Sequence, residues 1–477
     1  MTQPITATAD TTPQTPEIRS LTTGDRAFLH FTRLNPGERL EAGVVLLVDD
    51  PTLTVTELRA HVAERLRDAP ALTERLSHST MPGTGTAAAE KSSGDGFVWR
   101  PDHRLDLEHH VTAEELPAGS GQDGLRAAMD RIAARPLDLN RPLWRIWLLH
   151  GHITDGVAVV YRFSHIHQDG SGLHQALHLL FGPDREPALR NLPTFAPPGA
   201  RDYARMAAAL LRGIPPTRQL TSWGGPPRGG ARHTWALVEL DQLRRIARRN
   251  GVTVNDVYLA GVAGAIRAWS LPEWEHSRRP VHAAMPISLR SRDESEILSN
   301  FTFGARLRLP CEEANPRRRL ALVAAETRRI KAGGSIGAVE RRILDRIPPS
   351  ASPRMLAQAA SSGSRVKEAA LVASNTGTMR GPYTLAGREV AALIGMPPLF
   401  VGRQHLSVAL FGLGAQVCAA FTASASVPRH TELADHWLAE LDALDPLVAR
   451  TAGATAGAAA PRTDAPRENA PRTDVPA

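Results

Sequence analysis

Val157-Ala158-Val159-Val160-Tyr161-Arg162-Phe163-Ser164-His165-Ile166-His167-Gln168-Asp169-Gly170 is the stretch that decides how this chain is read. β-Branched and aromatic residues dominate 157–163, so the segment reads as a buried strand, and Ser171-Gly172-Leu173-His174-Gln175-Ala176-Leu177 then reads as the start of a helix. His165 falls at the strand end, where packing below can fix a side chain that stays open to a cleft above. Three readings stand side by side. In H-x-x-x-D-G, His165 is a general base, Asp169 orders the loop from behind, and Gly170 lets the backbone turn or approach closely. In H-x-H-x-D, His165, His167 and Asp169 are all metal-ligand types, although metallohydrolases with a similar run usually continue with another His where this chain has Gly170. The third is a structural histidine with no chemistry.

Composition narrows the function classes. A chain of 477 residues is expected to hold two or more domains with large cores. Its formal charge of +7 raises the question of nucleic acid or an anionic membrane. The basic residues answer it: Lys occurs only at Lys91, Lys331 and Lys367, and the arginines are scattered among acids, as in Glu64-Arg65-Leu66-Arg67-Asp68. No basic patch interleaved with aromatics is present, so nucleic acid is not an expected partner. Two cysteines, Cys311 and Cys418, are too few and too far apart for a metal cluster or a disulfide framework, which fits a reducing cytoplasm. The first residues lack a basic region followed by an apolar stretch, and no apolar run reaches membrane-spanning length. Residues 406–425 read as two core strands around Phe411-Gly412-Leu413-Gly414-Ala415.

The chain divides into two mixed halves. Residues 1–20 are Thr/Pro-rich and expected to be disordered, and 79–96 to form a mobile loop. The first half, 21–182, alternates strands (145–149, 157–163) with helical faces marked by Leu58, Val62, Leu66 and Ala69 and by Leu125, Met129 and Ile132. A linker, 183–231, has Pro and Gly clusters flanking a helix near 203–211. Its Met206, Leu210 and Leu211 are expected to pack on a domain, with a membrane or lipid contact as the alternative. In the second half, 232–447, Thr253 caps a helix over 255–269, strands follow at 281–288 and 302–309, and Leu433, Trp437, Leu441 and Leu444 mark a closing helix. Residues 448–477, with repeated Ala-Pro-Arg, are expected to be disordered.

Five further segments, in order, resemble the bacterial wax ester synthase/acyl-CoA:diacylglycerol acyltransferase family over about residues 21–447. They are Gly24-Asp25-Arg26-Ala27-Phe28-Leu29 with the strand beginning at Gly43, Pro136-Leu137-Asp138-Leu139-Asn140-Arg141-Pro142-Leu143-Trp144, Val254-Asn255-Asp256-Val257-Tyr258-Leu259-Ala260, Pro286-Ile287-Ser288-Leu289-Arg290, and Ser374-Asn375-Thr376-Gly377. The family motif is H-H-x-x-x-D-G, and here Ser164 replaces the first His while the second, the family's base, is His165. Ser164 can hydrogen-bond a neighbour but cannot serve as a base near neutral pH. His167 remains a spare candidate.

The resemblance implies an α/β fold of two chloramphenicol-acetyltransferase-like lobes with a tunnel between them. It implies an O-acyltransferase that moves a fatty acyl group from acyl-CoA, as co-substrate and with no bound cofactor or metal, to a long-chain alcohol or diacylglycerol. Catalytic residues are then His165, Asp169 and Gly170. Arg75 is the implied partner of Asp169, Trp144 shapes the lobe beneath the motif, and Asn255, Asp256, Ser288 and Arg290 line the tunnel. Peripheral membrane or lipid-body association is compatible with this, and no partner subunit is required. Acylation of a non-lipid alcohol, a catalytically weak acyl-binding relative and a metal-dependent hydrolase are the alternatives.

Overall fold

Two six-stranded sheets divide the molecule, and the elements that join them carry the site. The computed structural model describes residues 18–38, 40–78, 96–183, 189, 192–213, 215–275, 279–332, 336–361 and 367–445. The 79–96 loop, apart from Gly96, and the 448–477 tail lie outside the described residues. Strands in chain order are β1 (Arg19–Ser20), β2 (Glu41–Val48), β3 (Glu74–His78), β4 (Phe97–Pro101), β5 (Val111–Glu115), β6 (Trp144–His150), β7 (Val157–Ser164) and β8 (Ala231–Glu239). They continue with β9 (Val281–Ser288), β10 (Thr302–Leu309), β11 (Leu371–Met379), β12 (Thr384–Leu385), β13 (Arg388–Met396), β14 (Leu406–Leu413) and β15 (Gln416–Ser424).

The first sheet has the order β12-β13-β2-β7-β6-β5, the second β10-β9-β11-β14-β15-β8, and a small sheet β1-β4-β3 lies apart. Every residue of β7 is buried, as expected of a central strand covered on both faces. The second sheet contains the expected pair of strands at 406–413 and 416–424, turning at Gly414-Ala415. Residues 384–396 lie in the second half by sequence, yet β13 pairs antiparallel with β2 and extends the first sheet.

Cores form on both sides. In the first, Leu58, Val62, Leu125, Met129 and Ile132 pack against the strands, as their spacing requires. In the second, the helix Val254–Trp269 is buried along most of its length against the helix Glu432–Leu444. Thr253 and Asp256 close its N-terminus as a reciprocal capping box. Both cysteines are free and buried.

Two expectations are corrected. Residues 1–17 lie outside the described residues, but Arg19–Ser20, expected to be disordered, pairs with β4, held by Arg19, which donates to Glu74 at 2.7 Å and to the Ser299 hydroxyl at 2.9 Å. The linker helix, Ala200–Gly213, does not bury its apolar side in a core. Leu210 and Leu211 are 69% and 67% exposed, while Met206 and Leu210 edge a cavity instead.

Candidate active site

The strand β7 ends at Ser164, and the chain turns at once into the helix Gly170–Phe181. Ser164 shapes that turn. Its carbonyl accepts the N–H groups of His167 and Gln168, and its hydroxyl accepts the Ile166 N–H at 3.3 Å. His165 is left at the corner, its own N–H donating to the Leu40 carbonyl at 2.8 Å and its ring packed near Phe28 and Phe163. Burial pushes its imidazole down to about 4, against a smaller upward pull from Asp169, so the ring is neutral near pH 7.

Asp169 caps the helix, accepting the Gly172 N–H at 2.7 Å, and also anchors the opposite wall. Its carboxylate accepts from Arg290 Nη2 at 3.2 Å and from the Phe301 N–H at 2.9 Å. The fully buried Arg290 donates in addition to the carbonyls of Glu294, Ile297 and Ser299 and lies over the Phe301 ring. With both its oxygens engaged, Asp169 orders the two walls rather than facing substrate space.

The segment Ser299-Asn300-Phe301 is the other half of this clasp. Asn300 Nδ2 donates to the His165 carbonyl at 2.9 Å and lies 3.0 Å from Nδ1 of the ring, while its Oδ1 accepts the Thr302 N–H at 3.1 Å. Asn300 is itself fixed by Asp25, whose carboxylate accepts the Asn300 N–H at 2.9 Å, the Ser299 hydroxyl at 3.0 Å and the Trp99 indole N–H at 3.1 Å. Burial raises the Asp25 carboxyl above its usual range although Arg19 and these donors oppose the shift. The neighbouring Gly24 shows why the pair is Gly-Asp: a Cβ there would meet the Asn300 carbonyl oxygen at 2.0 Å.

His165 opens on a cavity of about 300 Å³ between the two sheets. Phe28, Phe163, Leu173, Phe303, Phe400 and Phe411 are among its apolar walls. Gly170 also lines it, and a Cβ there would meet only Thr376 at ordinary contact distance, so the glycine leaves open space rather than relieving strain. A second cavity of about 690 Å³ shares Ala284, Phe303, Gly304 and Glu340 with the first and reaches the helix Ala200–Gly213.

The remaining sequence candidates scatter. His167 is fully buried and turns away from the cavity, its Nε2 3.5 Å from Glu74 and its ring against Trp99. His165, His167 and Asp169 therefore do not converge, and among the described residues no cluster of three or more His, Cys, Asp or Glu forms a metal-binding group. Arg75 does not pair with Asp169. On β3 the buried residues are Glu74 and Leu76, so Arg75 points to the other face, and Arg290 takes the role. Trp144 is core, its indole N–H donating to the Leu72 carbonyl at 2.6 Å. Asn255 accepts from Asn375 Nδ2 at 3.1 Å, Asp256 serves the capping box and the Thr327 hydroxyl, and Ser288 accepts the Arg290 N–H. None of Asn255, Asp256, Ser288 and Arg290 lines the cavity, because each is spent holding backbone or a neighbour. Asn300 and the role of Asp25 were not found from sequence. A lone Asn before a strand carries the same local signal as any turn residue.

Comparison with known proteins agrees on both halves. The wax ester synthase/diacylglycerol acyltransferase catalytic domain matches residues 25–224, and the C-terminal domain of the same family matches 299–445. Probable diacylglycerol O-acyltransferase tgs1 of Mycobacterium tuberculosis is 26% identical over 419 residues, covering 80% of this chain and 86% of that protein. Among solved structures, the wax ester synthase/diacylglycerol acyltransferase of Marinobacter aquaeolei VT8 superposes with a TM-score of 0.61 at 19% identity, covering 90% of this chain and 99% of its own. The first condensation domain of the calcium-dependent antibiotic synthetase superposes at 0.59 with 17% identity, over 91% and 96% of the two chains. These two share the fold of two α/β lobes seen here. With both of its domains matched on the two walls that meet at His165, the chain belongs to the wax ester synthase/diacylglycerol acyltransferase family of acyltransferases.

Proposed function

We propose that the protein transfers a fatty acyl group from acyl-CoA to the hydroxyl of a long-chain alcohol or diacylglycerol, with His165 as the general base. The observation that carries this is the His165 ring on the wall of an apolar cavity, held from behind by Asn300, where burial favours the neutral imidazole. The alcohol oxygen attacks the thioester carbonyl carbon as its proton passes to the imidazole. Collapse of the tetrahedral intermediate breaks the C–S bond, and the proton returns to the thiolate to give free CoA. No covalent acyl-enzyme is needed. Positioning of two substrates in one water-poor space contributes to the rate, and base assistance adds about 10²–10⁴.

Proton uptake at Nε2, the ring nitrogen away from Asn300, requires the Nδ1–H tautomer. In that form Asn300 keeps its bond to the carbonyl alone; in the other it also donates to Nδ1. Asn300 thus positions the imidazole and bears on how much of it is competent.

No described helix is long and apolar enough to cross a membrane. Exposed Tyr203, Leu210 and Leu211 on the helix Ala200–Gly213, beside Arg201 and Arg212, support peripheral contact with a lipid surface next to the second cavity.

The deciding experiment follows CoA thiol release from palmitoyl-CoA with a panel of alcohols and dioleoylglycerol, for the wild type and His165→Ala. Alcohol-dependent release that falls at least a hundredfold in a folded variant is expected. Equal rates in the two proteins would sink the assignment of His165.

A further inference from the structure

The cavity beside His165 is mainly apolar, and two of its polar groups are left without partners. Gln404 is fully buried, and among the described residues neither its Oε1 nor its Nε2 has a hydrogen-bond partner. Ser407, three residues on and also buried, has an unpartnered Oγ. Buried polar groups are bonded in all but a few cases, so each exception needs a reason. Thr376 on the same wall is engaged, donating to the Leu410 carbonyl at 3.1 Å.

The backbone holds the two orphans in place. The Gln404 N–H donates to the Phe400 carbonyl at 3.0 Å, and Ser407 sits within β14 opposite Val372 of β11. Thr376, four residues along β11 from Val372, is the residue facing Gly170 at the reacting end. At about 3.3 Å per residue, Ser407 lies on the order of 13 Å along the wall from that end.

We propose that Gln404 and Ser407 form a specificity site that hydrogen-bonds an oxygen function of the acceptor, an ester carbonyl or a second hydroxyl, well away from the hydroxyl being acylated. This rests on the alcohol-acylation reading and narrows its substrate. An unsubstituted fatty chain offers an amide and a hydroxyl nothing to bond, and its entry strips them of water without replacement. An acylglycerol or a hydroxylated acceptor supplies the missing partner. A site built to bond a substrate oxygen discriminates against the analogue lacking it far better than an apolar pocket discriminates by size.

The test uses the full chain and the double variant Gln404→Leu, Ser407→Ala, which removes the polar atoms and keeps most of the volume. Without ligand the variant is expected to melt no lower than the wild type, since no described protein group bonds the atoms removed. A Tm lower by more than about 4 °C would mean that buried water or a polar network holds the pair, and would overturn the proposal. Given palmitoyl-CoA and equimolar dioleoylglycerol and hexadecanol, the variant is expected to show a triacylglycerol-to-wax-ester ratio at least tenfold below the wild type's. An unchanged ratio overturns it, unless a long-chain α,ω-diol loses its advantage over the matched mono-alcohol, which assigns the site to a second hydroxyl. Binding is read apart from turnover, as the rise in Tm with monooleoylglycerol against octadecane. If the wild type makes no ester but monooleoylglycerol stabilises it and not the variant, the site stands and acyl transfer falls. If no oxygenated lipid stabilises the wild type preferentially, the site falls.

Discussion

The two walls that meet at the cavity are built in opposite ways. The wall from the first half ends in a half-buried His165, whose ring has one hydrogen-bonding neighbour among the described residues, Asn300. Behind the wall from the second half stand Arg290, Ser299 and Asn300, all buried, each tied into several hydrogen bonds and backed by Asp25. One wall supplies a group that can react because it is not fully engaged. The other supplies the alignment and is rigid because it is engaged. Rate and stability should therefore respond to different residues.

His165→Ala should separate them most strongly, with a loss of about 10²–10⁴ in kcat and a urea midpoint close to wild type. Arg290→Met should do the reverse first: stranding Asp169 as a buried charge costs about 3–5 kcal/mol in urea unfolding, and activity falls because the walls part. Acidification should weaken the fold before it protonates His165. Burial holds His110, His165, His174 and His282 at about 4, below the unfolded value of 6.5. Between those values the unfolded chain binds more protons, so stability falls as pH drops from 7 toward 4, and a urea midpoint unchanged between pH 7 and 5 would contradict that burial. Asn300→Ala should cost about tenfold in kcat with KM for palmitoyl-CoA little changed, and about 1 kcal/mol of stability. His167→Gln should have the smallest effect on turnover, within about threefold, because its ring faces Glu74 and Trp99. A large loss there would reopen the question of which imidazole reacts.

Local rules carried much of the fold and only one side of the site. The buried strand 157–164, the capped helix beginning after Thr253 and the paired strands around Gly414 each follow from residues within a few positions of one another. The role of Asp169 as a loop anchor was legible for the same reason, since it caps its own helix. Its charged partner was not. Arg290 is 121 residues away, and nothing in the periodicity of Pro286-Ile287-Ser288-Leu289-Arg290 distinguishes it from the other arginines of the chain. Arg75 was a plausible guess defeated by a strand alternation that turns Glu74 inward and Arg75 out. Asn300 escaped notice because its function exists only once the two halves meet.

The pairing of β13 with β2 sets a condition on how the chain is made. Until residues 388–396 leave the ribosome, the first sheet has Val44, Val45, Leu46 and Leu47 on an open edge, with main-chain groups unpaired. The first half is thus fully written long before it can close, and its last strand arrives from far down the chain, a separation that slows folding and prolongs exposure to wrong partners. Fragments ending before residue 388 would keep His165 and lack the strand that covers β2, leaving that edge of the first sheet open to other pairing.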